Sequence, residues 1–344
     1  MLQADEIVAD PLHKYPVATV ACFDPMQGEL PRRKLDRQRN QQFLERLADQ
    51  SADAVLIGAS TGHGHLRTTD ELADWFESSA KANLQNTIKI ALLRPEDGEA
   101  ESRRLIELLK ANNYPIGYVR PGTDLPANAS DEAIAENMQF IVQELGTQGL
   151  AIGVYSIPDV SGVPLTPHAV AQLVSSRYGD RIVAVKVTEA NYEQSTARFL
   201  AEPSLRHLKI VQGWDPHLAT ALQADPLRCG VTSGPMSFAI FQYQHILASA
   251  RRQDSMEVTA AQQAVSQVFA SMQDDPSKFA DLQRAKFMMG LGNPQLGTVS
   301  DAQCERVFGA IERLPRDADR QRIARSIDLM GDGPFHERLV SLSR

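Results

Sequence analysis

Cysteine is scarce in this chain of 344 residues. Cys22, Cys229 and Cys304 stand far apart, with neither the spacing of metal ligands nor a disulfide framework. No apolar run approaches the roughly 18 residues that a membrane span needs, and no signal segment opens the chain. These absences together point to a reducing cytoplasm and exclude a membrane partner. Basic blocks are missing too, and the formal net charge is -8, which speaks against nucleic acid as a partner. The densest positive stretch, Arg32 to Arg39, reads as the solvated start of a helix. No Gly-x-Gly-x-x-Gly follows the first strand candidate, which weighs against an open dinucleotide-binding sheet. What is present, 43% hydrophobic and 23% charged residues, describes a soluble globular protein with chain enough for a large core.

After a patternless lead-in over residues 1–15, strand-like and helix-like segments alternate. Strands are expected at Val17 to Cys22, Ala54 to Ile57, Ile88 to Leu93, Ile116 to Val119, Ala151 to Tyr155, Arg181 to Thr188, Leu208 to Val211 and Cys229 to Thr232. Helices are expected between them, from Leu35 to Asp49 through Thr69 to Ala82, Glu99 to Ala111, Ser130 to Leu145, Pro167 to Arg177, Tyr192 to Leu200, Pro216 to Ala224 and Met236 to Ala250. Eight such units imply parallel strands joined by helical crossovers, and their spacing predicts an α/β fold, a closed (β/α)8 barrel over residues 16–252. Residues 253–344 read as a helical extension, with a loop from Gly290 to Thr298.

Active sites of such barrels lie at the C-terminal ends of the strands. The most informative end belongs to R-I-V-A-V-K-V-T, Arg181 to Thr188. Strand alternation puts Ile182, Ala184, Lys186 and Thr188 on one face and Val183, Val185 and Val187 on the other. A lone lysine at a strand end ordinarily snorkels to solvent. Apolar surroundings instead disfavour the charged form, and a free amine is what Schiff-base chemistry requires. Other strand ends bring Ser60, Thr61, Gly62 and His63, then Tyr155, Thr188, Gly213 with Asp215, and Ser233 to the same mouth. A phenol can shuttle protons, and a glycine-rich turn with hydroxyls can hold a carboxylate. His63 and His65, two apart with no acidic third ligand nearby, do not make a metal site, so no metal and no cofactor are expected.

Taken in order, these motifs resemble the class I aldolases of the N-acetylneuraminate lyase and dihydrodipicolinate synthase type. G-A-S-T-G-H-G is similar to the turn that binds the pyruvyl carboxylate in that family. Y-S-I-P-D-V-S-G-V-P-L-T-P, from Tyr155, resembles the motif whose tyrosine relays protons, and V-A-V-K, ending at Lys186, resembles the Schiff-base strand. Ser161, Gly162, Thr188, Gly213 and Asp215 resemble the lyase branch, and Val160 stands where the synthase branch has an arginine. His63 replaces the usual glutamate, Pro216 an acidic sugar ligand, and Arg120-Pro121-Gly122 the common P-Y-Y. Arg120 is therefore expected either at the surface or against a second anionic group of the substrate.

The resemblance implies a lyase acting on pyruvate or a small sugar-derived 2-oxo acid through an imine on Lys186, with Tyr155 moving the proton. Ser60 and Thr61 would hold the carboxylate, and Thr188, Gly213 and Asp215 the hydroxylated tail. It also implies a homo-oligomer, a dimer or tetramer. The alternative is a barrel that binds a 2-oxo acid or sugar acid without turning it over, which His63 and the altered Arg120 loop would permit.

Overall fold

The computed structural model describes residues 2–20, 26–27, 34–273, 285, 288–289, 300–328 and 335–343. Eight strands close into one parallel barrel: β1 Ala18–Val20, β2 Ala54–Ile57, β3 Ile88–Leu93, β4 Ile116–Val119, β5 Ala151–Ser156, β6 Ile182–Val187, β7 Lys209–Gln212 and β8 Cys229–Ser233. Each strand pairs with its sequence neighbours, and β1 closes the ring by pairing with both β2 and β8. The expected (β/α)8 barrel is thus present, with helices following it along the chain. Among the described residues no helix is long and apolar enough to cross a membrane. Cys22 and the loop expected from Gly290 to Thr298 lie outside the described residues.

Outward strand residues such as Val55, Val119, Val154, Val185 and Val187 join the core beneath the helices, while Ala54, Leu56, Ile90, Ile116 and Ala184 fill the barrel interior. Both faces are covered, which is why these strands read as short, nearly continuous apolar runs. Helix starts follow their caps: Thr68, Ser130 and Thr166 each accept a hydrogen bond from the backbone N–H three residues on. Thr68 therefore caps the helix Thr69–Ala80, whose first turn carries Asp70 and Glu71.

Four local features differ from the sequence expectation. In β6, Ile152 pairs with Ile182 but Gly153 pairs with Ala184, so Val183 is an extra residue. Simple alternation therefore fails at the strand's start: Ile182 belongs to the outer core and Val183 to the inner one. The helix expected from Tyr192 begins only at Thr196, because Ser195 Oγ donates to the Asn191 carbonyl (2.5 Å) and Asn191 Oδ1 accepts from Gln194 N–H (3.1 Å), making a turn first. Before the helices Leu218–Ala224 and Ile240–Arg251 stand single 3₁₀ turns at Asp215–His217 and Pro235–Ser237.

The lead-in is the fourth. Residues Ala4–Ala9 and Pro11–Lys14 are helical and pack across the bottom of the barrel, at the N-terminal ends of the strands. Ile7 is fully buried in the interior cluster. Arg181 Nη2 donates to Asp5 Oδ1 (2.8 Å), Lys209 Nζ to the Leu12 carbonyl (3.0 Å), and the hydroxyls of Tyr15 and Tyr118 are hydrogen-bonded inside the barrel. A six-residue helix has too few positions for periodicity to stand out.

Candidate active site

Lys186 and Tyr155 are cross-strand neighbours at the C-terminal ends of β6 and β5. Paired residues of parallel strands share a face, so both side chains enter the barrel. Lys186 is only 3% exposed, and its Nζ lies over the Tyr155 ring, 3.8 Å from the centroid. Tyr155 is buried, and its Oη is 3.1 Å from Thr188 Oγ1. Gly213, at the end of β7, leaves room for this group: a Cβ there would stand 2.1 Å from Thr188 Oγ1 and 2.9 Å from Lys186 Cε. The lysine thus does not snorkel, and Tyr155, Thr188 and Gly213 surround it.

Beyond β2 the chain makes two consecutive 3₁₀ turns, Ser60–Gly62 and Gly64–Leu66, joined at His63 in the left-handed region (φ 58°). The N–H groups of Gly62, His63 and Gly64 donate to carbonyls within the turn. Gly64 presses against Gly58, where a Cβ would come within 1.7 Å of the carbonyl oxygen, so only glycine fits. Ser60 lines a cleft together with His65, Arg94, Arg120, Tyr155, Ile157 and Val160. The side chains close on one another there and leave no room for a water molecule. Thr61 is half-buried beside this cleft.

His63 is wholly buried and does not line this cleft; His65 does. Burial, and then the electrostatic influence of His63, Arg120, Arg94 and Arg67, pushes the His65 imidazole down to about 4. At neutral pH that ring is an uncharged donor and acceptor. Arg94 organises the turn: it donates to the carbonyls of Gly64 (3.0 Å) and Arg67 (3.1 Å) while holding Asp97 at 2.9 and 2.6 Å.

Arg120 is 1% exposed, so its surface alternative is excluded. Its guanidinium is bidentate to Glu96 and also donates to the Pro121 carbonyl (2.7 Å). A carboxylate of the protein already meets its charge.

Asp215, in the turn after β7, is buried. Its Oδ1 accepts from Ser233 Oγ at 2.5 Å and from Tyr243 Oη. Burial raises this carboxyl above the ordinary aspartate range, while Ser233, Tyr243 and the charge of Lys186 pull the other way. Ser233 is therefore turned toward Asp215. Beside the mouth, Ser156 Oγ donates to Glu189 Oε1 (2.6 Å) and accepts from Leu165 N–H (2.8 Å), and burial raises the Glu189 carboxyl.

The sequence reading missed Tyr243, His65, Arg94 and Glu96. Tyr243 lies within the expected helix Met236 to Ala250, and Arg94 and Glu96 follow the expected strand Ile88 to Leu93 with no motif to mark them. Only His65 carried a signal, its two-residue spacing from His63, and that was weighed for metal alone.

No family model matches the chain, and no curated protein matches it. Solved structures do share its fold. A catalytic-lysine mutant of sialic acid aldolase from Ruminococcus gnavus is 15% identical, with TM-score 0.74 over 92% of this chain and 98% of that one. A prophage protein of the dihydrodipicolinic acid synthase family from Escherichia coli, in complex with pyruvate, is 15% identical, with TM-score 0.74 over 88% and 99%. The 2-keto-3-deoxygluconate aldolase of Sulfolobus solfataricus, in complex with D-KDPG, is 14% identical, with TM-score 0.70 over 86% and 95%. These neighbours are enzymes of the type that the motifs resemble, and at such identities the likeness establishes the shared architecture.

Proposed function

We propose that the protein is a class I lyase that acts on pyruvate or a small sugar-derived 2-oxo acid through an imine on Lys186. The observation that carries this reading is the buried amine of Lys186 held over the Tyr155 ring at the open end of a closed barrel. The fold of the neighbouring aldolases supports it, as does Ser60, which lines a cleft together with Tyr155.

In this reading the Lys186 amine attacks the ketone carbon, and water leaves as the iminium forms. In aldol cleavage the carbon–carbon bond beyond the next carbon breaks, and its electron pair moves into the iminium to give an enamine. Tyr155 takes the proton from the departing hydroxyl, and protonation of the enamine and hydrolysis then release the product. In dehydration the intact iminium instead loses a proton from the carbon beside it, and the enamine so formed expels the hydroxyl of the following carbon as water, with a proton supplied to it. Ser60 and Thr61 hold the carboxylate, and the low-dielectric interior strengthens each of these contacts.

Incubation with pyruvate and borohydride, followed by intact-mass measurement, tests the proposal. A stable adduct is expected on the native protein and none on Lys186→Ala. The competing reading, a barrel that binds a 2-oxo acid without turnover, draws on the closed Arg120–Glu96 pair, whose arginine stands where the resemblance has the common P-Y-Y. Binding of several 2-oxo acids with no trapped adduct from any of them would favour it.

A further inference from the structure

The helix Ile240–Arg251 is bonded on both sides within a single turn. On its inner side Tyr243, fully buried, donates to Asp215 Oδ1. Ser233 Oγ, 3.0 Å from the Tyr243 hydroxyl, donates to that same oxygen. Both hydroxyls hold one carboxylate oxygen and leave Oδ2 outside their grip. On the outer side the two preceding residues face the helix Asp317–Ile327. Phe241 N–H donates to Ser326 Oγ (3.2 Å), Gln242 Nε2 to Asp319 Oδ1 (2.8 Å), and Gln242 Oε1 accepts from Arg322 Nε (2.6 Å).

Asp319 is itself buried at 1% exposure and held by Arg316 (2.8 Å) and Arg322 (2.7 Å). Bonds to a buried, doubly paired carboxylate are strong and directional. Residues 241 and 242 thereby have a fixed seat, and the helix carries that seat to Tyr243 through its rigid backbone.

We propose that Tyr243 is a positioning residue that fixes Asp215, and that the helix Asp317–Ile327 sets its place, so that Oδ2 of Asp215 is presented to the hydroxyls of a polyhydroxylated 2-oxo acid. This rests on the Schiff-base reading above and extends it: the C-terminal helices become part of the device that selects the substrate's tail. The carboxyl end of every substrate meets Ser60 and Lys186. Only a hydroxylated tail meets Asp215, and only that part of binding depends on Tyr243.

The test compares Tyr243→Phe, which keeps the ring and removes the hydroxyl, with the native protein. Dissociation constants for pyruvate and for 2-keto-3-deoxygluconate are measured by calorimetry, and borohydride trapping is run in parallel. The expected result is about a tenfold greater loss of affinity for the hydroxylated acid than for pyruvate, the scale of one hydrogen bond to a charged group. Gln242→Leu, which cuts the outer bonds, is expected to move the same ratio in the same direction, with Tyr243 itself intact. Equal losses for both ligands in Tyr243→Phe would overturn the proposal, as would a native protein that binds the hydroxylated acid no better than pyruvate. A native protein with the expected ratio but no trapped adduct sinks the imine reading instead. Should Tyr243→Phe fail to fold, the ratio in Gln242→Leu and in Ser233→Ala decides.

Discussion

The two ends of the barrel are made by the same eight strands and are finished in opposite ways. At the bottom, Ile7 and the Tyr15–Tyr118 pair close the interior with apolar surface and hydroxyls that satisfy one another. Burial raises both phenols well above the ordinary tyrosine range, so neither is a proton donor or acceptor of use near neutrality. At the mouth, the buried groups are an amine, an imidazole, carboxyls and guanidiniums, with His63 in a left-handed conformation among them. A recess of about 580 Å³ borders the bottom, lined by His13, Lys14, Tyr15, Asp53 and Arg251, away from the Lys186 pair. The contrast sets apolar closure at one end against buried ionisable groups at the other.

Substitutions that break this division have graded effects. Lys186→Met, close in volume, is expected to abolish the borohydride adduct and lower turnover on the order of 10⁴-fold or more while leaving the unfolding midpoint nearly unchanged. A residual adduct would place the nucleophile elsewhere. Tyr155→Phe keeps the ring beneath Lys186 and is expected to slow turnover about 10²–10⁴-fold with the adduct still forming, a split that single-turnover kinetics resolves. Gly213→Ala pushes a methyl group into Thr188 and Lys186 and is expected to cost roughly 10²-fold in kcat/KM. Activity near native would show that the lysine has slack.

The opposite end is expected to reverse the pattern. Ile7→Ala removes a fully buried side chain from the barrel floor, with an expected loss of about 2–5 kcal/mol in urea unfolding and an unchanged KM. A change in KM with no loss of stability would join the two ends functionally. The smallest effect is one of pH. His65 stays neutral in the folded protein down to about 4, whereas an unfolded histidine takes its proton near pH ~6.5. Between those values the unfolded state binds the extra proton, so stability rises with pH across that window and falls on acidification through it. His65→Gln is expected to flatten that part of the stability curve, which denaturant titrations at several pH values would detect.

The strands were legible because a sheet covered on both faces writes itself as short apolar runs: β2, β3 and β4 lie where the sequence puts them. The pairing of Lys186 with Tyr155 was legible because each stands near the end of such a run on consecutive strands. What escaped depends on partners far apart in the chain. Tyr243 meets Asp215 28 residues away and Arg94 meets Gly64 30 residues away, distances over which no local periodicity reports. Arg120 stood out because R-P-G replaces the common P-Y-Y, and the Glu96 that neutralises it became visible only once β3 and β4 lay side by side. The lead-in helices draw their stability from the floor they cover, and so leave no pattern of their own.

Val183, the unpaired residue in β6, also decides which neighbour the lysine faces. Continued in step from the Ile152–Ile182 pair, the ladder would set Lys186 beside Ser156 and turn its amine out toward the helices. A shortened chain without Val183 would keep amine and phenol together. Inserting one residue between Ala184 and Lys186 would instead set the lysine beside Ser156 and carry its nitrogen through the barrel wall with every other atom of the site still present.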